Sequence, residues 1–411
     1  MEMSMEQTNK KFLYRMLYVL AAVVTLFPVS CDYIMIGGII TEWISRMEEI
    51  AIGGLRLFPT AEAFVNVGIW DNAMNSNLWF FFPALLYRFS GNLVLAYRIY
   101  ILALQVVTAL CSFLFFRRVL TCKEPGKENE MAICLGVILY MTCPYRIFVC
   151  YDWANLSEAT AWMLLPLYGW AVVGLLQKKK SWVDILVAAS ALAGIGYAEV
   201  IYFLSLVGIT LLIVLFSRKL FPLLPLTVGV VLAFPGLYRL FSYLFFGDFS
   251  EGEIMIHTIM QEGYRFGQFF SSYAFRDGHP GFGLGIMICL LAGLWLRFVI
   301  GGEKVGTYER FFIGLAILLL MFSLRYFPWD FVQRLGVWTL KLVSVMGTPA
   351  VFAGLGYAAL CVPAAGAAGR IGRYENRLVA GAVPLIILIT SIGLCVYQCN
   401  MLTDTRAPLR F

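Results

Sequence analysis

A few charged residues interrupt an otherwise apolar chain, and their types and spacing limit the chemistry open to it. Asp32 directly follows the first apolar run. A carboxylate there could deprotonate an acceptor hydroxyl or ligate a divalent cation, or simply mark a helix end. Asp152 and Glu158 flank Asn155 in a connection of about eight residues, 151–158, and Arg146 lies just before it. A base and two acids fixed in so short a loop suit recognition of phosphate or sugar hydroxyls. An Arg146–Asp152 bridge that ties off the loop is the alternative. In the segment 39–51, Arg46 follows Glu42 by four residues and precedes Glu48 and Glu49. These charges can pair along one solvated helix face. Arg325, Arg334 and Lys341 line the connection 325–344, where an arginine could clamp a lipid phosphate through paired hydrogen bonds or snorkel to ordinary headgroups.

Other chemistries find little support. The two histidines, His257 and His279, sit near Glu253 and Asp277 without metal-ligand spacing. The ten cysteines fall mostly in or beside apolar runs and form no Cys-x-x-Cys pair, so they read as small buried hydrophobes. The connections assigned to the cytoplasm are short and lack Gly-Lys-Ser/Thr, which argues against a nucleotide-hydrolysing engine.

The elements that must hold these residues are membrane helices. Of 411 residues, 61% are hydrophobic and only 14% charged, against about 25% charged in soluble domains. That balance excludes disorder, a water-soluble enzyme and a nucleic-acid partner, and the net charge of +6 does not alter the conclusion. At ~20 residues per crossing, the apolar stretches predict an all-α bundle of about eleven spans: 12–30, 93–116, 131–150, 159–176, 182–198, 200–216, 220–240, 281–299, 311–325, 345–365 and 378–397. The first reads as a retained helix and not a cleaved signal. With the N-terminus in the cytoplasm, each inward connection carries a basic cluster, as at Lys10 and Lys11, Arg117 and Arg118, Lys178–Lys180, Arg218 and Lys219, and Arg370 and Arg373. That bias sets the orientation and leaves the C-terminus outside.

The whole chain, 1–411, reads as one transmembrane domain with two large outer loops, 31–92 and 246–280. Within the first loop, Ile40, Trp43, Ile44, Met47 and Ile50 share one face of a helix opposite Glu42, Ser45, Arg46, Glu48 and Glu49, which predicts a helix lying flat in the interface. Leu78–Phe89 is too short to cross and reads as a second interfacial or re-entrant helix.

These features resemble the GT-C superfamily of membrane glycosyltransferases, and within it bacterial YfhO-like integral membrane proteins. The resemblance rests on Arg46-Met47-Glu48, Phe82-Pro83-Ala84-Leu85-Leu86-Tyr87-Arg88, Ala96-Tyr97-Arg98, Cys143-Pro144-Tyr145-Arg146 with Asp152 and Glu158-Ala159, Leu165-Pro166-Leu167, and Phe327-Pro328-Trp329-Asp330. Where that family carries Asp and His before its Arg-x-Glu, this chain reads Gly37-Gly38-Ile39 and Trp43, and the late Pro-x-Arg reads Pro349-Ala350-Val351.

The resemblance implies a bacterial cytoplasmic membrane, a polyprenyl-phosphate-linked sugar as donor, and a cell-envelope glycan as acceptor. Asp32 would be the base or a metal ligand, and Asp152 and Glu158 acceptor or metal contacts. Arg146 and Arg334 would hold the phosphate, with Arg46 and Glu48 as further substrate contacts. A divalent cation, Mg or Mn, is the cofactor such carboxylates could take. The competing expectation is a non-catalytic transporter, flippase or assembly subunit for envelope lipids.

Overall fold

A computed structural model describes residues 16–17, 19–30, 34–35, 40–54, 56–58, 76–121, 130–177, 181–246, 262–271, 279–298, 305–346, 348–374, 377–405 and 408–409. Asp32, His257, Lys178–Lys180 and most of the loop 246–280 lie outside the described residues.

The described chain is a bundle of α-helices, with one two-residue antiparallel pairing of Ile34–Met35 with Pro408–Leu409. Among the described residues, six helices are long and apolar enough to cross a membrane: Leu93–Thr121, Leu156–Leu176, Val200–Ser217, Leu223–Phe245, Ala350–Ile371 and Leu378–Leu402. A bent pair, Glu130–Met141 with Pro144–Asp152, makes a seventh if it counts as one span. Trp182–Ala198 and Leu284–Phe298 are apolar but shorter.

Side-chain pairings fix the direction of each helix. Tyr202 reaches Glu158, Thr210 reaches Tyr168, and the Lys219 ammonium donates to the Leu176 carbonyl. Helices Leu156–Leu176 and Val200–Ser217 therefore run parallel. Between them Trp182–Ala198 runs the other way, since Arg118 bonds both the Trp170 carbonyl near one end and Asp184, while Gly194 meets Leu164 near the other. A single extended residue, Glu199 (φ −146, ψ 110), makes the reversal.

Two ion pairs lock the end at which the basic clusters lie. Arg118 holds both oxygens of Asp184, at 2.6 and 2.9 Å, and lies over Trp170 with its guanidinium 4.3 Å from the ring centre. Arg370 holds Glu309 at 2.5 Å. The helix Ala350–Ile371 runs through the middle of the bundle, with 89% of its apolar window buried. Its sequence explains the position: alanine and glycine let neighbouring backbones approach closely, as where Gly356 lies under Leu320 and Gly366 under the Glu309 carboxyl.

At the opposite end, Ile40–Gly53 packs on Phe81–Ser90, which continues from the short turn Leu78–Phe80. Trp79 Nε1 donates to the Gly194 carbonyl at 2.9 Å, which fastens this pair to the bundle. The predicted loop 326–344 is largely helical, folded as Trp329–Arg334 and Val337–Met346.

Candidate functional site

The site is built on a broken helix. Pro144 has no N–H to continue the helix Glu130–Met141 and sits instead at the first turn of a new one. The chain bends by 41° and resumes as Pro144–Ile147 and a wide π turn, Phe148–Asp152, closed by Trp153 N donating to the Phe148 carbonyl at 2.8 Å. Ala154 then takes a left-handed conformation, φ +52, at a cost of roughly 1–2 kcal/mol for a residue with a Cβ. Asn155 caps the next helix, its side-chain oxygen accepting from Glu158 N at 3.2 Å. The expected eight-residue loop is thus only the link Trp153–Asn155. Arg146, Asp152 and Glu158 are all buried around it.

Glu158 is held by one oxygen. Its Oε1 accepts from the Tyr145 hydroxyl at 2.9 Å and from the Tyr202 hydroxyl at 2.7 Å. Tyr202 is fixed in turn by Trp162 Nε1 at 2.7 Å. Tyr145 stacks on Trp162 with ring centres 5.9 Å apart and meets the edge of Tyr357 at 6.0 Å. No protein group donates to Oε2 among the described residues, so that oxygen can take an outside partner.

Arg146 is committed to the fold. It donates to the Met141 carbonyl at 2.9 Å and to Gln105 Oε1. Gln105 meets the Tyr151 hydroxyl at 3.4 Å, which donates to the Thr25 carbonyl at 2.5 Å. The alternative of an Arg146–Asp152 bridge is not what forms among the described residues. The arginine satisfies a carbonyl released by the helix break.

The first-loop helix also departs from expectation. Glu42 and Arg46 do pair at 2.7 Å, as their spacing predicts, but both are buried, so the solvated-face reading is corrected. The Arg46 guanidinium lies 4.7 Å from the centre of the Trp43 ring, and Trp43 stacks on Phe80 at 4.5 Å. Burial pulls Arg46 below its ordinary pKa, while Glu42 opposes that fall, with Arg239 and Glu199 close enough to act on its charge. Arg239 lies over Phe58 at 4.9 Å. Only Glu42 and Arg46 of the polar side are buried, near Glu199 and Arg239 from parts of the chain distant in sequence, while Ser45 stays exposed and Glu48 and Glu49 partly so.

The remaining predicted residues are dispersed. Glu48 is partly exposed beside this pair, and Arg334 is exposed at the end of Trp329–Arg334. Lys341 does not line an open loop. It is buried, donating to the Tyr243 and Leu244 carbonyls at 3.1 and 3.0 Å, where it caps the end of Leu223–Phe246. Among the described residues no three His, Cys, Asp or Glu side chains are placed to hold a metal ion. Asp32, the residue expected to ligate Mg or Mn, lies outside the described residues.

Tyr145, Tyr202, Trp162 and Gln105 are the site members that sequence reasoning missed. Gln105 carried a signal, as the one amide within the run 93–116. Tyr202 carried none, because only tertiary packing brings it to Glu158. Two small cavities among the described residues adjoin Gly283 beside the helix break, neither with more than about 10 Å³ of room, far below the ~300 Å³ of ordinary ligand pockets. The chain matches no protein-family model and no curated protein.

Proposed function

We propose that this chain is a GT-C-like glycosyltransferase with about eleven membrane passes. On this reading it uses a polyprenyl-phosphate-linked sugar at the outer face of a bacterial cytoplasmic membrane to modify a cell-envelope glycan. The observation that carries the reading is Glu158, buried at the broken helix with one oxygen anchored by Tyr145 and Tyr202 and the other without a protein donor. Such a carboxylate can orient an acceptor hydroxyl. The acceptor oxygen attacks the anomeric carbon of the donor, the bond from that carbon to the phosphate oxygen breaks, and polyprenyl phosphate leaves with the electron pair. The hydroxyl proton passes to a carboxylate, assigned to Asp32, with Asp152 and Glu158 contacting the acceptor. Arg334, exposed near the helix ends, is suited to meet the lipid phosphate, whereas Arg146 supports the break.

The test is sugar transfer in membrane vesicles supplied with a radiolabelled polyprenyl-phosphate sugar. Asp32→Asn should lower the rate by about 10²–10⁴-fold, the usual worth of a general base, and Glu158→Gln should lower it as an acceptor contact, both without loss of expression. Wild-type rates in both variants, together with an unchanged envelope glycan profile in cells lacking the gene, would remove the proposal.

A second reading, a transporter or flippase for envelope lipids, draws on the break itself, since interrupted helices line substrate paths in transporters. It predicts movement of the lipid phosphate between leaflets without sugar transfer.

A further inference from the structure

Buried hydroxyls in these helices commonly return to a carbonyl one turn back. Thr108 bonds Leu104, Thr142 bonds Ile138, Thr160 bonds Leu156 and Thr210 bonds Leu206. Ser391, within helix Arg377–Thr405, does not. It is only 5% exposed and its hydroxyl has no hydrogen-bond partner. The neighbouring Thr390 already occupies the carbonyls of Ile386 and Ile387.

Ser391 lines a small cavity with about 10 Å³ of room, together with Leu139 and with Thr142, Cys143 and Pro144 at the helix break. Gly285 makes room beside it, since a Cβ there would sit 2.0 Å from Ser391 Oγ. Across the cavity the break releases main-chain groups, because Pro144 has no N–H to return to the Tyr140 carbonyl one turn back. A buried hydroxyl without a partner, on a small cavity that Leu139 also lines at the end of the broken helix, has the attributes of a hydration site.

We propose that one ordered water occupies this cavity, accepting from Ser391 Oγ and donating to the main-chain carbonyl of Leu139 or Tyr140, since that of Met141 is taken by Arg146. The water bridges two helices that are otherwise held there by apolar contact. It fixes the bend that carries Arg146 and the π turn toward Glu158. The inference needs only the break and Ser391, and it stands whether or not the chain transfers sugars.

The sign of a mutational effect decides it. With the water bound, Ser391→Ala removes a bridge, so the full-length protein in detergent should unfold at a lower temperature. Hydrogen exchange at residues 145–147 should then be several-fold faster. In a dry cavity the same change deletes an orphaned hydroxyl, and an unchanged or raised unfolding temperature overturns the proposal. Independently of any variant, a high-resolution electron cryomicroscopy map of the unmodified protein should hold density within hydrogen-bond distance of both Ser391 Oγ and one of those carbonyls. An empty cavity, or elongated density from a lipid chain, overturns it.

Discussion

A carboxylate among apolar side chains is tolerated only where its oxygens are bonded, and at Glu158 two phenols meet that demand at a single oxygen. Tyr202 serves twice, donating to Glu158 and accepting from Trp162. Tyr202→Phe should therefore leave the Trp162 N–H without its acceptor and Glu158 with one phenol, and cost about 1–3 kcal/mol, read as a fall in unfolding temperature. Tyr145→Phe removes only one of the two donors to Glu158 and should cost less. Arg46 and Glu42 pose a different balance. Removing one member of a buried pair takes away the other's bonded counter-charge, so Glu42→Leu alone should destabilise, by up to about 3–5 kcal/mol less whatever Glu199 compensates. The double variant Glu42→Leu with Arg46→Met should recover most of that loss, since an apolar pair of similar volume avoids the desolvation cost. A double variant no more stable than Glu42→Leu would mean that Arg46 is needed by Glu199 more than by Glu42.

Between helices, glycine decides how closely polar groups can be set. A Cβ on Gly354 would stand 2.4 Å from the Tyr145 ring, so Gly354→Ala must displace the tyrosine that holds Glu158. Overpacking of this kind costs about 1–3 kcal/mol. Its effect should be less than additive with Tyr145→Phe, because both act through one contact. Thermal unfolding of the two single variants and their combination checks this, and simple addition would separate Gly354 from the site. Gly174 does the same at the other end. A Cβ there would lie 2.2 Å from an Arg118 nitrogen, so Gly174→Ala should open the Arg118–Asp184 pair and leave Asp184 buried without its cation.

The whole molecule has two unlike ends. One gathers the broken helix, Glu158 and the buried Glu42–Arg46 pair, and the other holds Arg118–Asp184 and Arg370–Glu309. In the proposed orientation, which rests on the Lys/Arg bias, the second end faces the cytoplasm. Trp153 and Trp182, both exposed, mark the two ends, and the eight described cysteines are buried. With Cys31 and Cys122 changed to serine, Trp153→Cys in intact cells should react with a membrane-impermeant thiol reagent. Trp182→Cys should react only after permeabilisation. The reverse pattern would turn the site toward the cytosol and end the proposal of outer-face sugar transfer.

Much of this was legible in order of residues alone. Whether a segment enters a bilayer depends on a sum of transfer free energies over ~20 neighbouring residues, so the apolar helices and the basic clusters between them can be read locally. The Glu42–Arg46 pairing is local too, being a matter of one helical turn. What the chain order could not disclose is which side chains face one another across helices. Tyr202 meets Glu158 over 44 residues, Arg118 meets Asp184 over 66 and Tyr151 meets Thr25 over 126. The burial of Arg46 and the capping role of Lys341 likewise depend on distant helices. Such contacts arise from helix directions and close glycine packing, which no window of sequence contains, and they alone turn Glu158 from a loop acid into an anchored carboxylate.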